Sequence, residues 1–272
     1  MRGLEEMAAG IFRFGVPGVI DVNCGIVVGD DSVCVIDSGT VEADARAILA
    51  AVGAVSDRPL RSVINTHHHG DHSFGNWWLR PAIVVGHERC RLRLLGAEGE
   101  AHKELLARLV PMAAEQIRAV LVDPPSLTFE STLTLHLGRT ALTLRHCGRG
   151  HTDNDIVVCC EEAGIAFAGD LVEEAGPPWT GDSYPAEWGA TLRRLQPLAH
   201  LFVPGHGRSV EAAYVAGQAE GFERLAAACA ETRARGGGPA EALLSLPSAV
   251  RAFLGHQLIP AVERYFATVE AP

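Results

Sequence analysis

The chain has 272 residues, 47% of them apolar, with a formal charge of −10 and seven cysteines. That is enough apolar material for one large core, which excludes a disordered chain, and the acidic balance lacks the clustered Lys and Arg that a nucleic-acid surface requires. The odd number of cysteines without a CxxC pair argues for reduced thiols rather than a disulfide framework.

The first thirty residues carry Glu5, Glu6 and Asp21 and no run apolar enough for a signal peptide or membrane span, so a cytoplasmic protein with no membrane partner is expected. Residues 11–16, 19–28 and 32–37 read as strands, with Gly29-Asp30-Asp31 as a hairpin signal. Helical spacing over 41–55 and a β-branched run at 61–65 complete a strand–helix–strand unit.

A short strand at 83–86 follows, then helical segments between 87 and 120 closed by Asp123-Pro124-Pro125. Strands are predicted at 127–129, 133–137, 140–147, 156–160 and 165–168, a helix at 187–198 and a strand at 201–203. Two halves, each of strands followed by a helix and a strand, predict an α/β fold with two face-to-face sheets and helices outside, a four-layer αββα sandwich. Residues 1–208 would form this core. Residues 209–272, broken by Gly236-Gly237-Gly238-Pro239, Pro247 and Pro260, would add two or three C-terminal helices docked on it, too few residues to fold alone.

The chemistry concentrates in Thr66-His67-His68-His69-Gly70-Asp71-His72, directly after a strand. On extended backbone His67 and His69 project to one side and can close on one cation, while His68 points away and is left out of the site. Asp71 and His72, at the turn toward a helix, can face a second cation. Three further candidates each follow a strand beside glycines: His151 in Gly150-His151-Thr152, Asp170 in Gly169-Asp170, and His206 in Pro204-Gly205-His206-Gly207. His87, His102, His136, His146, His200 and His256 are treated as ordinary residues. Thr66, Thr152 and Asn76 are either orienting partners of ligands or simple turn caps.

In this order and at these intervals, HxHxDH, GHT, GD and PGHG resemble the metallo-β-lactamase superfamily over roughly residues 11–210. The resemblance implies that His67, His69 and His151 hold one metal, that Asp71, His72 and His206 hold a second, and that Asp170 bridges both, as in the glyoxalase II branch. It further implies a dinuclear zinc hydrolase, with iron or manganese as alternatives. Two cations about 3.5–4 Å apart share a water and bring its pKa toward 7. Asp71 is the candidate catalytic group that orients this water.

For the substrate, the resemblance is informative mainly by contrast. Where β-lactamases of class B1 and related classes place a lysine three residues after the second metal's cysteine, this chain has Glu173, followed by Glu174, which disfavours β-lactams and other anionic groups. An ester, thioester or related acyl bond of a small molecule is expected, a polyketide-type thioester among the options. The long segment 171–187 carries Trp179 and Tyr184 as candidate contacts for an acyl group. The 87–120 insertion and the C-terminal helices are candidates for a pocket wall or a homodimer interface. The rival reading is a mononuclear iron oxidoreductase like the sulfur dioxygenases of the same superfamily, against which the retained His72 and His206 argue.

Overall fold

The computed structural model describes residues 3–269. Strands β1 (Leu4–Ala8), β2 (Ile11–Val16), β3 (Val22–Val28) and β4 (Val33–Ile36) form an antiparallel meander, β3 and β4 joined across the expected hairpin. Helix α1 (Glu42–Val55) then crosses over to β5 (Leu60–Ile64), which lies parallel to β4. After the short helix α2 (Gly70–Ser73), β6 (Ile83–His87) adds a further parallel strand. The insertion is helical, with α3 (Glu88–Leu94), α4 (Gly96–Leu109) and α5 (Ala114–Arg118), and β7 (Leu127–Phe129) closes the first sheet in the order β1-β2-β3-β4-β5-β6-β7.

The second half lays down β8 (Thr132–Leu137), β9 (Thr140–Arg145), β10 (Val157–Cys160) and β11 (Ile165–Gly169) as antiparallel neighbours. Helix α6 (Pro185–Leu195) crosses to β12 (Leu201–Pro204), parallel to β11, and β13 (Val210–Glu211) borders β12. Helices α7 (Ala212–Ala234), α8 (Pro239–Ser245), α9 (Ser248–Leu254) and α10 (Leu258–Thr268) end the described chain.

Side-chain alternation explains the layering, because each sheet carries apolar residues on both faces. Ile36, Ile64 and Val85 of the first sheet meet Leu144, Val158, Phe167 and Val203 of the second in the central core. On the outer face of the first sheet, Val35 and Val63 pack against Ala45, Ile48 and Val52 of α1. On the outer face of the second, Val157 and Phe202 pack against Trp188 of α6 and Phe222 of α7, together with Leu246, Val250, Leu254 and Val262 of the later helices. The result is the αββα sandwich.

The C-terminal segment contains four α-helices rather than two or three. Pro247 cannot continue α8, and the residue before a proline is pushed toward extended backbone, as Leu246 is. Gly255, at φ 48° and ψ −122°, ends α9 in a backbone conformation open mainly to glycine. No described helix is long and apolar enough to cross a membrane. The described cysteines are all free, and most are buried among apolar side chains; burial pushes the Cys34 thiol up to about 12.

Candidate metal centre

The C-terminal ends of β4, β5, β11 and β12 converge on one edge of the sandwich. Cross-sheet hydrogen bonds tie that edge together. Asn23 N donates to Gly205 O at 2.7 Å, Asn23 Nδ2 to Pro204 O and Gly207 O at 2.9 Å each, and Ile156 N to Thr66 O at 2.8 Å. The loop after β5 thereby faces the loops after β11 and β12, and the strand order, not sequence proximity, brings the candidate ligands together.

Of three groups of potential ligand atoms, each with its atoms within 4.8 Å of one another, one joins His68, His69 and Asp182, and two adjoin at the candidate residues: His67, His69, His151 and Asp170 in one, and Asp71, His72 and His206 in the other. Asp170 lies between them, its Oδ2 3.5 Å from His151 Nε2 and 3.5 Å from His206 Nε2, its Oδ1 3.3 Å from His72 Nε2. His151 Nε2 is 2.9 Å from His69 Nδ1, and His206 Nε2 is 3.2 Å from Asp71 Oδ2. All seven candidate residues thus share one cluster. Close backbone approach is what the glycines allow: a Cβ on Gly205 would lie 1.8 Å from Asp170 Oδ1, and one on Gly169, at φ 52°, would lie 2.6 Å from Thr66 Oγ1.

The donor set fits metal ions. Imidazole nitrogens and carboxylate oxygens suit zinc and also iron or manganese. His67 Nε2, His72 Nε2 and Asp170 Oδ1 are buried without a hydrogen-bond partner among the described residues, a costly arrangement unless something else satisfies them. The electrostatics agree. Burial disfavours a charged His206, but Asp170 and Asp71 outweigh it and raise its pKa to about 11, and the same carboxylates with Asp37 raise His72 well above its ordinary value. Burial lowers His67 and takes His151 down to about 4, keeping their nitrogen lone pairs free. The carboxylates demand positive charge beside them, and protons supply it when no cation does.

Three residues complete the site without having been singled out from sequence. Asp37, at the end of β4 with φ 62°, accepts from Thr66 N, Thr66 Oγ1 and His72 Nδ1, each at 2.8 Å. This fixes the His72 tautomer so that Nε2 faces the cluster. Asp182 accepts from His69 Nε2 at 3.1 Å, which likewise turns His69 Nδ1 inward; it also lies 3.6 Å from His68 Nε2. His102, taken as ordinary, lines the cavity instead: its Nε2 accepts from Gly70 N–H at 3.0 Å and its ring lies nearly parallel to that of His69. Only the position of Asp182 in the long 171–187 segment offered a signal. His68 stays outside the main cluster, with Asn154 Nδ2 3.0 Å from its Nδ1.

The orienting candidates divide. Thr66 Oγ1 touches His67 Nδ1 at 3.1 Å. Thr152 instead bonds the Asp155 carboxylate and accepts from Asn154 N–H, and Asn76 pairs with Asn65, which in turn donates to His72 O, so their bonds run to neighbours of the ligand rings.

A cavity of about 430 Å³ opens above the cluster, walled by Ile20, Leu105, Leu109, Val110 and Trp179. The insertion is therefore a pocket wall. Trp179 is placed as expected, but Tyr184 is not: its ring is held by the guanidinium of Arg149 at 4.5 Å and of Arg264 at 5.7 Å, outside the cavity lining. Glu173 is in the wall, yet its carboxylate faces the Trp179 backbone N–H at 3.3 Å and His151 Nδ1 at 3.8 Å, and burial with Asp170 nearby raises its pKa to about 8. Glu174 turns away to Arg208 at 2.8 Å.

Comparison with known proteins agrees with this architecture. The family profile described as "Metallo-beta-lactamase superfamily" matches residues 17–206. A metallo-beta-lactamase type 2 of Bacillus sp. (strain 170) is 26% identical over 133 residues, 46% of this chain and 51% of its own, and one of Bacillus cereus is 25% identical over 131 residues. The chain spans about half the length of these curated relatives. Among solved structures, a metallo-beta-lactamase from Pontibacter korlensis superposes with a TM-score of 0.63 at 21% identity, over 81% of this chain and 98% of that one. The DIM-1 metallo-beta-lactamase gives 0.62 at 19%, over 80% and 96%. At such identity the structural likeness speaks for the fold, and with the family match over most of the chain it leads to one statement: this chain belongs to the metallo-beta-lactamase superfamily.

Proposed function

We propose that the protein is a dinuclear zinc hydrolase of an ester, thioester or related acyl bond in a small molecule. The carrying observation is the pair of ligand groups on either side of Asp170, which together offer donor atoms enough for two ions. His67, His69 and His151 would hold the first, Asp71, His72 and His206 the second, and Asp170 would reach both. Zinc at these positions supplies a Lewis acid and an activated water at neutral pH.

The chain's own residues do the rest. Asp71, buried but lining the cavity, has one carboxylate oxygen beside His206 and can use the other to orient the attacking water and take its proton. Asp37, Thr66 and Asp182 hold the imidazoles in the tautomers that ligation needs. Among the described residues no lysine or arginine lines the cavity, so a β-lactam carboxylate would find no side-chain cation among them.

The test is metal analysis of the purified protein with a screen of esters, thioesters, lactones and lactams, with and without chelator. Two zinc ions per chain and chelator-sensitive hydrolysis are expected. One iron per chain with oxygen consumption would instead establish the sulfur dioxygenase-like reading.

A further inference from the structure

The cavity lining divides by chemistry. The candidate ligands with Glu173 and Asp182 form its polar part, and Ile20, Leu105, Leu106, Leu109, Val110 and Trp179 its apolar part. Helix α4 builds the apolar part. Its Leu106 and Ala107 anchor in a core cluster with Phe74 and Leu94, whereas Leu105 and Leu109, one turn apart, are 51% and 55% exposed at the cavity. Two half-exposed leucines and the 42% exposed Trp179 together leave apolar surface that only an occupant of the cavity would cover.

The helix is also set in register with the ligand loop. His102 accepts the Gly70 N–H, so the reacting end lies beside residue 102 and the apolar wall continues to residue 110. Eight residues of helix span about 12 Å. Since C–C bonds of about 1.5 Å advance an extended chain by about 1.3 Å per carbon, that wall matches a tail of roughly eight to nine carbons.

We propose that the site takes a neutral acyl ester whose unbranched apolar tail lies along α4, between Leu105 and Leu109 on one side and Trp179 on the other. The proposal rests on the zinc hydrolase reading for its chemistry. The water oxygen bonds to the acyl carbon, the C–O bond to the alcohol breaks, and the water's protons end one on the alcohol and one in solution from the released acid. A tail ending in a carboxylate is disfavoured, because no lysine or arginine is among the described lining residues to pair with it beside Leu105, Leu109 and Val110.

The experiment uses zinc-loaded protein with p-nitrophenyl esters of unbranched acids from acetate upward, beside a matched series carrying a terminal carboxylate. At ~0.8 kcal/mol per buried methylene, kcat/KM should rise about fourfold per added carbon until the wall ends, then level off. The carboxylate-terminated esters should be at least about tenfold slower, and a Leu105→Ser, Leu109→Ser variant should show less than about a twofold gain per carbon. Independently, 1-octanol should bind the protein as purified and change the fluorescence of the wild type but not of Trp179→Phe. Hydrolysis without chain-length preference overturns the proposal and leaves the hydrolase reading intact. Octanol binding without any hydrolysis supports the slot and removes the chemistry. Absence of octanol binding overturns the slot.

Discussion

Asp37→Asn isolates the claim that hydrogen bonds behind the ligands decide whether the cluster can hold metal. Asn is nearly isosteric and tolerates the left-handed φ of 62°, so the backbone has no reason to move. If its Oδ1 takes the Thr66 N–H, its amide nitrogen replaces the oxygen that accepts from His72 Nδ1. The amide then donates to Nδ1, and the His72 proton is forced onto Nε2, the atom 3.3 Å from Asp170 and 3.5 Å from Asp71. A protonated Nε2 cannot ligate. Flipping the amide instead sets two donors against each other at Thr66 N.

The flipped arrangement leaves a buried donor unsatisfied, at about 1–3 kcal/mol, the other costs the His72 ligand atom, and partners of this kind typically contribute 10–100-fold in metal affinity. In a competition titration against a chromophoric chelator, the zinc associated with Asp71, His72 and His206 should bind about 10–100-fold more weakly, with the zinc at His67, His69 and His151 nearly unaffected. A folded variant in which both constants match the wild type would refute the reasoning.

Asp71→Asn should lower kcat by at least about tenfold in protein whose zinc content matches the wild type, read from steady-state rates and metal analysis on one sample; an unchanged kcat contradicts the water-orienting role. Gly205→Ala should leave the circular dichroism of the sandwich intact but prevent stoichiometric zinc loading, because the new methyl collides with Asp170 and His72; two zinc ions bound normally would show that the close approach is dispensable. In metal-free protein, burial raises the Asp155 pKa from 3.8 to about 7, so between these values the folded state binds more protons than the unfolded one. Stability should therefore fall as pH rises through that window, by at most about 1.4 kcal/mol per pH unit, and Asp155→Asn should flatten the slope in denaturant titrations; identical slopes would refute the assignment.

The candidate ligands were legible as candidates because each announces itself locally. His67 and His69 alternate on extended backbone, and His151, Asp170 and His206 each follow an apolar run and sit beside a glycine. The αββα layering was legible for a related reason, since strand and helix periodicities repeat in two halves. Asp37, Asp182 and His102 were not. Their partners lie 35, 113 and 32 residues away, and a lone Asp or His at such a position looks the same whether it orients a ligand or caps a turn. Tyr184 misled because an aromatic in a long loop signals burial of some kind, while the two arginines that hold it come from distant segments.

The family match ends at residue 206, yet the site does not depend on that region alone. Asp182 orients His69 only while the loop that carries it stays in place, and the C-terminal helices hold that loop. Gln257 Oε1 accepts from Thr180 N and Thr180 Oγ1 at 3.1 Å each, and Arg264 of α10 donates to Ser183 O and Asp182 O at 3.0 Å each. The same guanidinium lies over Tyr184, at the start of α6. These contacts fasten both ends of the four-residue stretch from Thr180 to Ser183, whose neighbour Trp179 walls the cavity. The two sheets thus supply the candidate ligand atoms, while helices beyond the family region fix the orientation of one candidate ligand and the position of one wall. A chain with the same seven candidate ligands and different C-terminal helices would keep the cluster and lose this particular cavity.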